Sequence, residues 1–326
     1  MLRIGIVTLC SVIFTACLCP FVLMLVRRLK VNQPILGYVT NHYSKSGTPT
    51  MGGIAFLLGT CAVVILSNVG YSKTAVVATL GTLGFGILGF LDDFIKVKGG
   101  DNKGLSVIQK LFGQIFLSII LAYFAYVTPS IGSILKIPFL NVNVELGFFA
   151  VPIYAIFIVA VVNFVNLTDG LDGLVSTTGA IYFVAISIVI LLSSLGDVLR
   201  QNDNIGLVSL ALSLGGALSV FYVLNSYPAK IFMGDTGSLG IGAGIATVTL
   251  FSGNLLLFFI LGITYVISGL SVVLQVFYFK LTKKRIFKMA PFHHHLEKSG
   301  MHENKIVALY SFITFCCGIL VIFLWG

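Results

Sequence analysis

Ten apolar runs divide the chain, at roughly 2–26, 50–69, 74–91, 109–127, 148–166, 171–192, 205–224, 237–252, 255–279 and 305–325. A membrane-crossing helix needs about 20 predominantly apolar residues, and most of the runs approach or exceed that length. The two shortest, 74–91 and 237–252, are rich in glycine. The polar stretches between runs are too short for a separate soluble domain. The pattern therefore predicts one all-α polytopic membrane domain over residues 1–326, with ten transmembrane helices. One stretch departs from the helical rhythm: 136–147 (KIPFLNVNVELG) alternates apolar and polar positions and predicts a small outer β-hairpin. Beyond residue 279 the ninth run turns basic (KLTKKRIFK). That end is expected to project from the bilayer or to lie on its interface as an amphipathic helix.

Composition agrees, with 57% hydrophobic residues, 10% charged residues and a mean hydropathy of +1.05. With ten spans and the N-terminus outside, 16 of the 20 basic residues fall on the inner side, leaving Arg3, Lys73, Lys136 and Arg200 outside. The positive-inside bias places both termini outside. The first run has Arg3 before it and Arg27, Arg28 and Lys30 after it, which favours a retained helix over a cleaved signal peptide. The net charge of +9 is then a cytoplasmic-face charge scattered over short loops. Such a distribution suits anionic lipid and an anionic substrate, not nucleic acid. The six cysteines all lie within apolar runs without metal-ligand spacing, so they read as small core hydrophobes.

The acids change the picture. Five of only eleven stand in three short motifs at the inner edges of apolar runs: Asp92 and Asp93 in GFLDDFIKVK, Asp169 and Asp172 in NFVNLTDGLDGL, and Asp235 in YPAKIFMGDTGS. A carboxylate beside hydrocarbon is costly and marks a candidate site. Neighbouring Gly, Asn, Thr and Lys supply the chemistry that holds Mg²⁺ and a diphosphate. Asp92 and Asp93 are adjacent, so on a helix they point about 100° apart. One can face a cleft as base or metal ligand while the other orients Lys96 or the backbone; the bland reading is a solvated helix end. Asp169 and Asp172 are three apart and are expected to share a helix face, with Asn166 and Thr168 capping that helix. His293, His294 and His295 are contiguous, unlike the converging spacings of zinc sites. They suit phosphate or sugar contact through protonatable imidazoles. His42 and His302 read as ordinary loop histidines.

In order along the chain, KSGTPTMGG, GFLDDFIKV, NFVNLTDGLDGL, FMGDTGSLG and FKMAPFHHHLE resemble the strings of the polyprenyl-phosphate N-acetylhexosamine-1-phosphate transferase superfamily. Within it they are most similar to the bacterial phospho-N-acetylmuramoyl-pentapeptide transferases. The resemblance implies transfer of phospho-N-acetylmuramoyl-pentapeptide from its UDP conjugate to undecaprenyl phosphate, giving lipid I and UMP. It also implies Mg²⁺ dependence, a homodimer, sensitivity to nucleoside antibiotics, and a bacterial cell membrane with the active site on the cytoplasmic face. Residue by residue, it implies Mg²⁺ on Asp235 with Asn166 as second ligand. Uridine would lie near Lys45, Asp172 and Phe232, whose ring could stack on uracil. Thr50, Asp169, Gln275 and Ala290 match pocket-lining positions, and Asn225 and His293 match substrate contacts. Asp92 matches the base that deprotonates the lipid phosphate, with Lys96 and Lys110 beside the phosphates. The adjacency of the pair leaves Asp93 to act through placement of Lys96 and the loop. His294 and His295 match a loop that closes the site. Met301 stands where many relatives carry Trp.

Two other functions compete. A transferase using UDP-N-acetylglucosamine would share most of these strings, but such relatives tend to carry a His-x-His-His pattern with a nearby arginine. A cation- or proton-coupled transporter would place its acids near the bilayer midplane, often with repeat symmetry, whereas these acids sit at one edge.

Overall fold

The computed structural model describes residues 1–29, 47–99, 104–140, 142–194 and 201–325. Among them, twelve α-helices follow in the order α1 (Leu2–Arg28), α2 (Gly53–Asn68), α3 (Lys73–Gly99), α4 (Val107–Val127), α5 (Ala150–Thr168), α6 (Leu174–Ser193), α7 (Gln201–Asn225), α8 (Gly234–Phe251), α9 (Phe258–Leu261), α10 (Ile263–Thr282), α11 (Phe292–Lys298) and α12 (Glu303–Trp325). Eight helices are long and apolar enough to cross a membrane: α1, α3, α4, α5 with its leading turn, α6, α7, α10 and α12. The protein is a multi-pass membrane protein. Between α4 and α5 the expected hairpin is present, with β1 (Ile134–Ile137) antiparallel to β2 (Val142–Glu145) and Leu135 opposite Val144.

The glycine-rich α8 organises the bundle. Every residue from Thr236 to Phe251 is buried, with α3 and α5 packed along it and α2 and α7 also in contact. A helix encased by other helices has no need of a lipid-facing apolar stripe, and small residues let neighbouring backbones come close. Its hydroxyls stay paired inside: Thr247 and Thr249 each donate 2.7 Å to the carbonyl four residues back, and the Tyr182 hydroxyl lies 2.7 Å from Thr249 Oγ1. By contrast α1, α4, α10 and α12 expose large side chains such as Leu9, Phe112, Phe277 and Phe323, as helices bathed in lipid do.

The closest approach is between α3 and α8. A Cβ built on Gly89 would stand 2.1 Å from the Asp235 carbonyl oxygen and 2.7 Å from the Thr236 nitrogen. Both are backbone atoms at the start of α8, so neither can swing aside. Gly89→Ala should therefore push the two helices apart, costing about 1–3 kcal/mol by overpacking. The measurable outcome is a lowered melting temperature in detergent, together with reduced activity; a variant that melts like wild type would refute the tight packing.

The helical reading of the NLTDGLDG string needs correction. The turn carrying Asp169 and Asp172 is not helical, because α5 ends at Thr168 and α6 begins at Leu174. The two aspartates share no helix face, and Asn166 and Thr168 close α5 instead of capping α6. Gly170 and Gly173 account for the break, since glycine favours turns over helix interiors. Of the two forms expected for the basic end of the ninth run, the amphipathic helix is absent: α10 runs past 279 to Thr282, and Lys283 turns into the left-handed region at φ 58°.

Candidate active site

Three helices deliver polar side chains to one carboxylate at the start of α8. Asp235 Oδ2 lies 2.7 Å from Lys96 Nζ on α3 and 2.8 Å from Lys110 Nζ on α4. Asp235 Oδ1 accepts from Asn166 Nδ2 on α5 at 2.8 Å, and the same amide donates to Ser238 Oγ at 2.8 Å. Asp92 shares both lysines, at 2.7 Å from Lys96 and 3.5 Å from Lys110, and accepts from the Leu105 amide at 2.7 Å. Two carboxylates held by two ammonium groups form a compact charged cluster at one end of the bundle. One helical turn further along α4 and α5, Asn163 Nδ2 donates to Gln114 Oε1 at 2.7 Å. That amide pair clamps the helices that carry Lys110 and Asn166.

Asp93 does something different from its neighbour. Its carboxylate accepts from the Asp235 amide at 3.2 Å, the Thr236 amide at 2.9 Å and the Thr236 hydroxyl at 2.7 Å. It caps the N-terminus of α8 from another helix, supplying acceptors to orphan donors. It is 4% exposed, so these bonds take the place of hydration. Of the two alternatives for the second aspartate, orienting Lys96 or the backbone, the hydrogen bonds favour the backbone: no Lys96 hydrogen bond reaches Asp93 among the described residues, and it sets the backbone that bears Asp235. The 100° separation on α3 divides the pair between a charge cluster and a helix cap.

The FMGD segment is pinned from both sides. Phe232 N donates to the Pro49 carbonyl at 2.8 Å, while Gly52 N and Gly53 N donate to the Phe232 and Met233 carbonyls at 2.9 and 3.0 Å. This explains why the TPTMGG lead and the FMGD string occur together, and it buries Thr50 beside Gly234. Asn225 donates to the Ile231 carbonyl at 3.0 Å and accepts from Ser176 Oγ at 2.7 Å, so it supports the same segment from within. The Phe232 ring remains partly exposed.

A second group forms around the Asp169–Asp172 turn. Asp169 is partly exposed, and among the described residues no hydrogen-bond donor reaches its carboxyl. Burial first, then the negative charge of Asp235, Asp93 and Asp172, pushes that carboxyl well above the usual carboxylate range. Asp172 Oδ2 accepts from the Ala229 amide at 2.9 Å. Gly170 lies under two histidines of α11: a Cβ there would meet His293 Nε2 at 2.5 Å and His294 Nε2 at 2.9 Å. The histidine helix is thus laid directly on the aspartate turn.

The three histidines differ. His293 is fully buried, and among the described residues neither of its ring nitrogens has a partner; burial and the adjacent His294 hold its pKa well below the ordinary imidazole value. Its surroundings thus disfavour the protonated form. His294 Nδ1 lies 2.9 Å from Glu297 Oε2. His295 Nδ1 accepts from the Lys288 amide at 3.1 Å, and its ring stacks on Phe292 at 5.5 Å.

Gln275 and Ala290 belong to the α10–α11 connection. The Gln275 carbonyl oxygen accepts from the Ile286 and Phe287 amides at 3.1 and 3.0 Å, which folds that connection back on α10. Lys45 and His42 lie outside the described residues. No individual role was legible for Thr236, Gln114, Asn163 and Glu303. Thr236 stands with Ser238 inside the MGDTGS string, Asn163 opens NFVNLTDGLDGL, and Glu303 is one of few acids beside an apolar run, so a signal existed for those three.

A model of Glycosyl transferase family 4 matches residues 75–253, and a phospho-N-acetylmuramoyl-pentapeptide-transferase signature matches residues 45–57. A phospho-N-acetylmuramoyl-pentapeptide-transferase of Clostridium perfringens strain SM101 is 41% identical over 310 residues, 94% of this chain and 92% of the relative. The chain belongs to the phospho-N-acetylmuramoyl-pentapeptide-transferase family. A family member from Halalkalibacterium halodurans is 39% identical over 318 residues, covering 96% of this chain and 95% of its own length. One from Clostridioides difficile strain 630 is 40% identical over 299 residues, covering 90% and 89%. The match to the family model contains Asp92, Asp93, Asn166, Asp169, Asp172 and Asp235, and the signature opens at Lys45.

Proposed function

We propose that the protein transfers phospho-N-acetylmuramoyl-pentapeptide from UDP-N-acetylmuramoyl-pentapeptide to undecaprenyl phosphate, giving lipid I and UMP. The observation that carries this reading is the convergence of Lys96, Lys110 and Asn166 on Asp235 beside Asp92. An oxygen of the lipid phosphate attacks the sugar-bearing phosphorus of the diphosphate. The new P–O bond forms as the bond to the UMP oxygen breaks, and UMP leaves as an anion. Any proton on the attacking phosphate passes to Asp92. Such a reaction needs charge neutralisation and alignment more than covalent help. Lys96 and Lys110 supply two positive charges at a point where two phosphate groups would meet.

Mg²⁺ fits the donor set. Among the described residues no three His, Cys, Asp or Glu side chains stand together as a metal cage. Mg²⁺ commonly takes one or two carboxylates and completes its shell with water and substrate phosphates. Asp235 would hold it, and Asn166, turned about its amide, would offer an oxygen in place of the nitrogen it now presents. When bound, the ion would neutralise charge developing on the diphosphate. Phe232 would stack on uracil, while Asp172, whose Oδ2 accepts from the Ala229 amide, would read the base edge. Stacking on an aromatic ring is worth ~1–3 kcal/mol per base, so Phe232→Ala should weaken UMP binding about tenfold or more. Unchanged UMP affinity by calorimetry would place the nucleoside elsewhere.

The finer topology belongs to the same reading. Counting the 16-residue α2 and the encased α8 as spans brings the total to ten, with both termini outside and Asp92, Asp169 and Asp235 at the cytoplasmic face of the bacterial cell membrane. The protein would act as a homodimer, and nucleoside antibiotics would compete for its uridine pocket. The acids meet at one end of the bundle, which disfavours the transporter. One assay separates the readings: purified protein in proteoliposomes is given each labelled UDP-sugar, undecaprenyl phosphate and Mg²⁺, with ion flux followed in parallel. Turnover of UDP-N-acetylglucosamine alone, or flux without turnover, would overturn the proposal.

A further inference from the structure

Glu303 opens α12 and is 7% exposed, yet no motif contains it. A buried carboxylate beside an apolar helix is costly and calls for a specific partner. Its Oε1 accepts from the Asp172 amide at 2.6 Å, across 131 residues of sequence. The bond is the first link in a chain. Asp172 Oδ2 in turn accepts from the Ala229 amide, and Lys230 N donates to the Leu224 carbonyl at 2.8 Å, setting the turn that leads into Phe232. The preceding residue, His302, meets the Tyr227 ring edge-on at 5.4 Å and 82°. Below it, Leu171, Leu174, Ile306, Val307 and Tyr310 form a small core of their own, with Leu296 and Met301 against it. The start of α12 therefore ties together the Asp169–Asp172 turn, the 226–230 turn and the histidine helix, while the Asp235 charge cluster hangs on α3, α4, α5 and α8.

We infer that Glu303 is a positioning residue for the nucleotide half of the site: it fixes the Asp172 amide, and through it the turn that presents Phe232. This rests on the proposed uridine contacts of Phe232 and Asp172. A simpler role would be charge complementation, since an acid in the first turn of a helix favours its N-terminus. The two roles make opposite demands. Positioning needs an acceptor oxygen at full reach and not a charge. Complementation needs the charge and tolerates a shorter reach.

The test uses full-length protein in detergent, with UMP plus Mg²⁺ as the binding probe and steady-state KM values for both substrates. Glu303→Gln keeps the reach and loses the charge, so it should bind UMP within about threefold of wild type. Glu303→Asp keeps the charge but withdraws the acceptor by one methylene. Its UMP affinity should fall about tenfold and its KM for the UDP-sugar rise about tenfold, roughly the worth of one hydrogen bond. Its kcat and its KM for undecaprenyl phosphate should stay near wild type. Val307→Ala, which thins the same small core without touching the bond, should lower the melting temperature and leave UMP affinity unchanged. The reverse ranking, with Asp at wild-type affinity and Gln weakened, would overturn positioning, as would equal loss for both substrates in every variant. Were wild-type protein to turn over neither UDP-sugar, the functional reading would fall. The Glu303 link would then still predict faster hydrogen exchange of the 170–173 and 226–230 amides in Glu303→Asp, and unchanged exchange would remove it.

Discussion

Asp235→Asn should lower turnover by about 10²–10³-fold or more, the scale on which a single preorganised electrostatic contact at a reacting centre operates, while the protein melts at the wild-type temperature. The two halves of this expectation have separate causes. Activity falls because Asp235 is the point where Lys96, Lys110 and Asn166 converge and the carboxylate assigned to Mg²⁺. The fold survives because each lysine keeps Asp92 as a partner, at 2.7 and 3.5 Å, and both ammonium side chains remain partly open to solvent. Asn166 also retains Ser238. Labelled-sugar turnover across a Mg²⁺ titration, paired with a thermal melt, checks both. Near-normal turnover with an unchanged Mg²⁺ requirement would remove Asp235 as the metal ligand.

The multi-pass helical character of the chain and the grouping of its acidic motifs were legible in the sequence because both leave strong local marks. A long apolar run has few alternatives to a membrane helix, and an aspartate at its edge needs a reason. Five ordered strings then pointed to the family, and the structure gathers the described ones at one end. What was illegible depends on packing. GFLDDFIKV does not say which aspartate meets which partner. That is decided by how closely α3 approaches α8, which Gly89 permits. The NLTDGLDG string carries a readable signal against a shared helix face, because its two glycines end one helix and delay the next. Gly170 also lies under His293 and His294. Asn163 opens the NFVNLTDGLDGL string, but its pairing with Gln114 across two helices is visible only once the helices are placed.

The same division of labour on α3 makes the adjacent aspartates separable by experiment. Asp92→Asn removes the assigned base from a cluster that still contains both lysines and Asp235. General bases contribute typically about 10²–10⁴-fold, so kcat should fall on that scale, with UMP affinity and melting temperature close to wild type. The second proton of a phosphate monoester leaves near pH 6. Above that pH the lipid phosphate already carries its full charge and needs the base less, so the deficit of Asp92→Asn should shrink as pH rises. Asp93→Asn acts through the backbone. Its amide can keep one acceptor but replaces the second by a donor facing the Asp235 and Thr236 amides and the Thr236 hydroxyl. Hydrogen bonds to a charged group are worth about 1.5–3 kcal/mol each. Asp93→Asn should therefore lower the melting temperature and displace the start of α8, raising KM for the UDP-sugar along with a loss in kcat that does not recover at high pH. Equal losses for the two variants at every pH, with equal melting temperatures, would show that the pair has one shared structural role and would exclude Asp92 as the base.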